Sequence, residues 1–221
     1  MSQNRNIAIT VIILFMVAAG VMALTIYNVW LGSQYSSGGN AKPPEVAADN
    51  VYLYDKPRAI ADFSLVDEQG NTVDESILRG QWTLAFLGFT HCPDICPTTM
   101  ATLSKADSRI SDRATEPQFL MITADPERDT PEALSRYVTF FGDDFRGLTG
   151  DLETLRSLAA DLNATFTHST DANGNPVVEH SAHLSIISPN GRLAGLIQKP
   201  FDADTVADTY EAIQSWQPGS Q

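Results

Sequence analysis

Cysteine is scarce in this chain, with two residues, Cys92 and Cys96, among 221. So few sulfurs exclude a disulfide-stapled scaffold, which needs several bridges to replace a hydrophobic core. Positive charge is scarce too. Fourteen Lys and Arg stand against 27 Asp and Glu, for a net charge of −13. Only Arg5 among the charged residues precedes Lys42, so the remainder carries 13 basic and 27 acidic side chains, or −14. Phosphate neutralisation needs a basic patch and none is visible, so no nucleic-acid partner is expected. Also missing are an internal repeat, a Gly-rich phosphate loop, and a nucleophilic serine or general acid to support conventional catalysis. The chain is therefore not read as a conventional enzyme. At 43% apolar and 19% charged residues, it has the composition of a globular domain with a hydrophobic segment attached.

That segment is Ile7 to Leu31, 25 residues without a charge. It exceeds the ~20 needed to cross a bilayer core. Tyr27 and Trp30 fall at its C-terminal end, where an aromatic interface belt would sit, and Arg5 precedes it. The positive-inside rule then predicts an inner-membrane, single-pass anchor with the N-terminus in the cytoplasm or matrix. The bulk of the chain is placed in the periplasm or intermembrane space. A cleaved signal peptide ending near Val21-Met22-Ala23 is the alternative, but an h-region is usually shorter than this run. Either arrangement exports the domain to where a disulfide can persist. Residues 32–57, rich in Gly, Ser and Asn with a Pro43-Pro44 pair, read as a flexible stalk. The folded domain is expected over 58–217.

Within it, Phe63–Val66 and Thr72–Val73 flank Asp67–Asn71, a hairpin signal with glycine in the loop. Trp82–Phe89 and Gln118–Ala124 read as buried central strands. A helix is expected from about Pro97, with Met100, Leu103, Ala106 and Ile110 at three- and four-residue spacing. Thr130-Pro131-Glu132 opens a second helix, with threonine as N-cap and proline at the first position. Asp151–Leu162 is a third, carrying Leu152, Leu155, Ala159 and Leu162 on one stripe. Ala164–Thr167 is a short strand candidate. His183–Ile187 and Arg192–Ile197 bracket Ser188-Pro189-Asn190-Gly191 as a terminal hairpin. Asp204–Trp216 closes the domain as a helix. Strands alternating with helices predict an α/β sandwich with a mixed sheet. A cysteine pair at its first strand-to-helix junction suggests the thioredoxin-like arrangement.

At that junction Cys92 and Cys96 form a CxxxC motif, one residue longer than the CxxC of thioredoxin-type redox sites. A helix N-terminus favours thiolate over thiol, and if the first turn includes both cysteines they share one face. Two such sulfurs can close into a disulfide or hold a soft metal: Cu(I), zinc or an iron–sulfur cluster. Two thiolates are too few for a stable zinc or cluster site, so a metal needs another ligand. Four histidines are available. His91 adjoins Cys92 but is expected to point away, and His168 is most simply a surface residue. His180 and His183 precede the terminal hairpin, within reach of the cysteines if that strand is central.

Four segments, THCPDICPTT (90–99), ADPERDTP (124–131), LTG (148–150) and EHS (179–181), closely resemble the SCO/SenC family. These are membrane-anchored, thioredoxin-fold copper proteins that help assemble the dinuclear copper centre of cytochrome c oxidase. The resemblance runs in order from about Ile60 to Trp216. It implies copper ligands at Cys92, Cys96 and His180. It also implies Cu(I) or Cu(II) as the metal, and the oxidase's copper-bearing subunit and other copper chaperones as partners. Two departures stand out: Glu179 where the family commonly has aspartate, and His183 as an additional histidine. Two sulfurs and an imidazole suit Cu(I), and adapt to Cu(II) with a solvent or Asp94 oxygen. Oxidation to a disulfide would abolish binding, so redox state would gate loading. The competing reading is a thiol–disulfide oxidoreductase that reduces the cysteines of the oxidase copper site, with Cys92 and Cys96 redox-active. An inert structural disulfide is the plainest alternative.

Overall fold

The computed structural model describes Gly20, Met22 and residues 42–110 and 116–219. Apart from Gly20 and Met22, which are helical, the expected anchor at 7–31 lies outside the described residues. So does the stalk up to residue 41. Among the described residues no helix is long and apolar enough to cross a membrane. The chain divides into two compact units, and the α/β domain belongs to the second, residues 40–221.

Among the described residues ten strands run in the order β1 (Val51–Ala59), β2 (Ser64–Asp67), β3 (Thr72–Asp74), β4 (Thr83–Gly88), β5 (Gln118–Thr123), β6 (Phe145–Thr149), β7 (Phe166–Thr170), β8 (Pro176–His180), β9 (Leu184–Ser188) and β10 (Arg192–Ile197). Four α-helices of this unit accompany them: α1 (Ile95–Asp107), α2 (Pro131–Thr139), α3 (Leu152–Asp161) and α4 (Ala203–Ile213). Eight strands form one sheet in the order β1-β10-β9-β4-β5-β6-β2-β3, while β7 and β8 pair as a separate hairpin. Strands β4, β5 and β6 are parallel and their outer neighbours antiparallel, so the sheet is mixed as expected.

Side-chain alternation along the central strands divides the core in two. Leu84, Phe86, Phe119 and Met121 face α1, α2 and α4, meeting Met100, Leu103, Leu134, Val138 and Tyr210. Ala85, Leu87, Leu120 and Ile122 face the other way, toward Leu155, Leu158 and Ala159 of α3. Strands buried on both faces read as continuous apolar runs, which is why β4 and β5 are plain in the sequence.

Helix starts follow local chemistry. Thr130 caps α2 by accepting from the Ala133 N–H at 3.3 Å, with Pro131 in the first turn. Asp151 caps α3 through the N–H groups of Glu153 and Thr154. The last helix is entered by Asp202, whose carboxylate accepts from the Thr205 N–H at 2.8 Å.

Three expectations shift. Residues 51–57, assigned to the stalk, are ordered into β1 along the edge of the sheet, where Val51 pairs with Ile197 and Arg58 with Leu193. The folded part therefore begins before Arg58. The strand candidate at Ala164–Thr167 forms later, as Phe166–Thr170, because its partner is β8. Helix α1 starts at Ile95, ahead of Pro97, and leaves Cys92 outside it.

Candidate metal centre

Buried strand β4 ends at Gly88, and the chain turns through Phe89–Asp94 before α1 begins. The Cys92 N–H donates to the Phe89 carbonyl at 3.1 Å, closing that turn. Asp94 occupies the N-cap position without making a side-chain cap. The sulfur of Cys92 serves instead, accepting from the Cys96 N–H at 3.4 Å. The pair thus meets across the helix start: Cys92 half-buried before the helix, Cys96 buried in its first turn.

Gly88 forms part of the floor. A Cβ there would meet the Phe86 ring at 2.8 Å and lie 3.5 Å from both the Cys96 sulfur and Met121. Only glycine lets the strand pass this close behind Cys96.

His180 arrives from the end of the β7–β8 hairpin. Its root is tied where the Ser181 N–H donates to the Thr165 carbonyl at 2.9 Å and the Thr165 N–H donates to the Ser181 hydroxyl at 3.0 Å. The His180 Nδ1 lies 2.9 Å from the Ser181 carbonyl. A carbonyl can only accept, so Nδ1 carries the proton and the lone pair sits on Nε2. Nε2 lies 3.5 Å from the Cys96 sulfur. The Phe89 ring packs edge-on against the imidazole at 5.8 Å between centroids, fixing its plane. One ligand atom each from Cys92, Cys96 and His180 lie within 4.8 Å of one another.

The electrostatics run partly against the expectation of thiolates. Burial pushes the Cys96 thiol well above its ordinary value, and Cys92 adds to this; the Phe89 N–H acts in the opposite direction. Burial in low dielectric outweighs the helix terminus here. The metal-free Cys96 is a thiol, and metal binding must expel its proton. Burial lowers the His180 pKa, the Ser181 carbonyl only partly opposing it, so the imidazole is neutral near pH 7. A neutral imidazole and two sulfurs at metal-ligand spacing fit a soft or borderline metal, copper included.

The other sequence candidates fall outside the cluster. His91 is exposed, with its Nδ1 3.0 Å from the Thr90 hydroxyl, and is not part of the three-residue group. His168 is more than a surface residue, since its Nε2 reaches the Ala124 carbonyl at 2.7 Å and ties the hairpin to the loop after β5. His183 donates from Nε2 to the Leu162 carbonyl at 3.3 Å, beside the Ser185 hydroxyl at 3.0 Å, and so braces β9 against the end of α3. Glu179, one residue from His180 on the same strand, points to the opposite face and is exposed. Asp94 is not part of the three-residue group.

The ADPERDTP segment, whose charges the sequence leaves as fit to brace a loop as to touch a metal, supplies a supporting residue outside the ligand set. Asp129 is fully buried, and its carboxylate accepts from the Thr90 N–H at 3.1 Å, the Thr90 hydroxyl at 2.5 Å and the Thr123 hydroxyl at 2.6 Å. It pins the start of the cysteine turn to the end of β5. Asp125 pairs with Arg128, so this charged segment braces the loop.

Residues 53–215 match the SCO1/SenC family model, well over half of the chain. The chain belongs to the SCO1/SenC family. Over 156 residues it is 38% identical to a putative copper-binding protein of Stutzerimonas stutzeri, covering 70% of this chain and 76% of that one. It is 33% identical over 147 residues to the mitochondrial SCO1 homolog 1 of Arabidopsis thaliana, covering 66% of this chain but only 44% of that relative. The crystal structure of Arabidopsis thaliana ScoI with copper bound superposes with a TM-score of 0.66 at 32% identity, covering 72% of this chain and all of that one. The thioredoxin-like α/β fold with a mixed central sheet is the fold of these Sco structures. A more distant neighbour, BsSco, 19% identical with a TM-score of 0.59 over 74% of this chain, is itself described as a member of the Sco family of cytochrome c oxidase assembly proteins; at that distance the likeness is one of fold.

Proposed function

We propose that this protein is a membrane-anchored copper chaperone and assembly factor that supports maturation of the dinuclear copper centre of cytochrome c oxidase. Cys92, Cys96 and His180 hold the copper, and the acceptor is the oxidase's copper-bearing subunit, with other copper chaperones as further partners. The anchor is residues 7–31, the stalk follows it, and the domain works in the periplasm or intermembrane space. The observation that carries this reading is the convergence of the three ligand atoms within 4.8 Å, from elements 84 residues apart in sequence. Family membership and the copper-bound Sco structure lend support.

The chemistry of the cluster suits a carrier. Loading releases the Cys96 proton to solvent, and an incomplete ligand set on a half-exposed Cys92 leaves room for an acceptor's ligand to enter. The decisive test is copper stoichiometry of the reduced chain, beside Cys92→Ser and His180→Ala. We expect one copper in the wild type, little or none with Cys92→Ser, and weakened Cu(II) binding with loss of its visible absorption in His180→Ala. Unchanged copper affinity in His180→Ala would sink the three-ligand site.

The half-exposed Cys92 beside a buried Cys96 also favours a second reading, reduction of an acceptor disulfide. Cys92 would attack as thiolate to form a mixed disulfide, and Cys96 would resolve it. The chain would be left oxidised by two electrons and the acceptor as a dithiol. That reaction needs no imidazole ligand, so His180→Ala would spare it.

A further inference from the structure

Strands β7 and β8 lie outside the eight-stranded sheet, and a lone two-stranded hairpin is marginally stable in water. What ties this one to the domain therefore decides where His180, its last residue, stands. Cross-strand pairing sets Phe166 opposite His180 and His168 opposite Val178, so these four side chains share one face. Phe166 and Val178 pack into the core on the α3 side of the sheet. His168 acts differently. Its Nε2 lies 2.7 Å from the Ala124 carbonyl, which can only accept, so Nε2 donates. Its ring stands edge-on to Phe166, 5.7 Å between centroids. Among the described residues this is the one hydrogen bond, besides the contact of His180 with Cys96, from the two strands to the rest of the domain.

The carbonyl that His168 grips is one the cysteine turn leaves open. The Ala124 N–H donates to the Gly88 carbonyl at 2.8 Å, continuing the parallel ladder of β4 and β5. One step further, that ladder would give the Ala124 carbonyl the Thr90 N–H. This donor goes to Asp129 instead, at 3.1 Å, as the chain swings into the cysteine turn. Ala124 is fully buried, so an unpaired carbonyl there would be costly. The Asp125 N–H, on the same peptide, donates to the Thr123 hydroxyl at 2.9 Å and holds the peptide still. Gly88 in turn backs the site, since a Cβ on it would stand 3.5 Å from the Cys96 sulfur. Ala124 thus bonds the floor beneath Cys96 through its N–H and the hairpin of His180 through its carbonyl.

We propose that His168 is a positioning residue of the copper centre, its bond to the Ala124 carbonyl seating the hairpin so that His180 meets the cysteine sulfurs. This role rests on the reading of Cys92, Cys96 and His180 as copper ligands. Any donor would satisfy the open carbonyl; here the donor sits on the hairpin that carries a ligand. A ligand has to be held to within about 0.5 Å of its working place. Phe166 and the Thr165–Ser181 pair fix the hairpin at its root. His168, two residues along β7, supplies a second point, and two points fix a direction.

His168→Ala and His168→Gln in the full chain test this role. The glutamine amide nitrogen stands as many bonds from Cβ as Nε2 does, and it donates without being an imidazole. Three quantities are compared: amide exchange across 166–180 in the metal-free protein, Cu(II) affinity by chelator competition, and the visible absorption of the Cu(II) form. In His168→Ala we expect faster exchange confined to the hairpin, one copper held about tenfold more weakly, and a shifted band. His168→Gln should restore all three. Adding His168→Ala to His180→Ala should cost no further affinity, because the first residue acts through the second. Unchanged affinity and absorption in His168→Ala would overturn the proposal, leaving the histidine as a partner for a buried carbonyl only. So would a glutamine variant no better than alanine, or a full further loss in the double variant. A wild type that binds no copper, or a His180→Ala variant of unchanged affinity, would bring down the ligand assignment and this role with it. A weakened His180→Ala beside an indifferent His168→Ala overturns the part of His168 alone.

Discussion

Two loops of this protein share one construction and differ in their surroundings. Asp67–Asn71 joins β2 to β3, and Asp171–Asn175 joins β7 to β8. In each, aspartate Oδ1 accepts from the N–H groups two and four residues on, and Oδ2 accepts from the asparagine side chain. In each, the glycine N–H donates to the aspartate carbonyl, at 3.0 and 3.1 Å, and the glycine has positive φ, 85° and 83°. The five-residue pattern is too short to count as a repeat, yet it closes the same turn twice. The first loop is built into the domain: Asp67 and Glu68 are buried, and Arg146 of β6 bonds both. The second stands exposed at the tip of the hairpin that ends in His180. Local hydrogen bonding thus makes the turn, and tertiary contact decides whether the turn contributes to global stability.

The largest break in that comparison comes from the cation. Arg146→Met strands two buried carboxylates, and we expect a loss of about 3 kcal/mol in chemical denaturation. A near-neutral result would mean that the first loop is as independent of the domain as the second.

Next comes Asp67→Ala beside Asp171→Ala. The first removes the acceptor of three loop hydrogen bonds and half of the Arg146 contact, for about 2 kcal/mol. The second should leave the melting temperature almost unmoved and show itself only as faster amide exchange across 166–180. The two aspartates also predict different acid limbs. For Asp67, burial alone would raise the carboxyl pKa, but the Asn71 backbone and side chain, the Gln69 N–H and Arg146 together hold it below the ordinary range. For Asp171, the Asn175 side chain leads, followed by loop N–H groups, and the direction is the same. A folded pKa below the unfolded one contributes stability that is complete above the unfolded value of about 3.9 and is lost as pH falls through the folded value. Asp67→Asn should therefore flatten the acid limb of global unfolding, while Asp171→Asn should change only local exchange.

The smallest effect sharpens the comparison. A Cβ added at Gly70 or Gly174 would have no atom within 4 Å, so alanine at either meets only backbone strain. Each substitution should cost its own turn about 1 kcal/mol, read globally for Gly70 and by local exchange for Gly174.

How much the sequence disclosed depends on where each signal is local. Strands β4 and β5 are continuous apolar runs, and the cap at Thr130 is made within its own helix, so these were legible. Strand β1 was not. It carries Asp55, Lys56 and Pro57, which suit an exposed sheet edge but read as a linker. Strand β6 was hidden by Arg146 and Gly147. The glycine admits Leu134 within 3.3 Å of where its Cβ would be. The site divides in the same way. The cysteine pair is a local motif. His180 came through a family resemblance, because no spacing rule spans the distance to Cys96. Asp129 acts across the fold, and only coordinates join it to the cysteine turn. The expectation of thiolates failed for Cys96 because the helix terminus is visible in sequence and the depth of burial is not.

The unequal burial of the two sulfurs gives the centre a direction in time. An incoming ligand meets the half-exposed Cys92 and His180 first, while Gly88 and Met121 close the rear of Cys96. For the proposed carrier, exchange would then have a built-in sequence, with the outer sulfur letting go before the inner one.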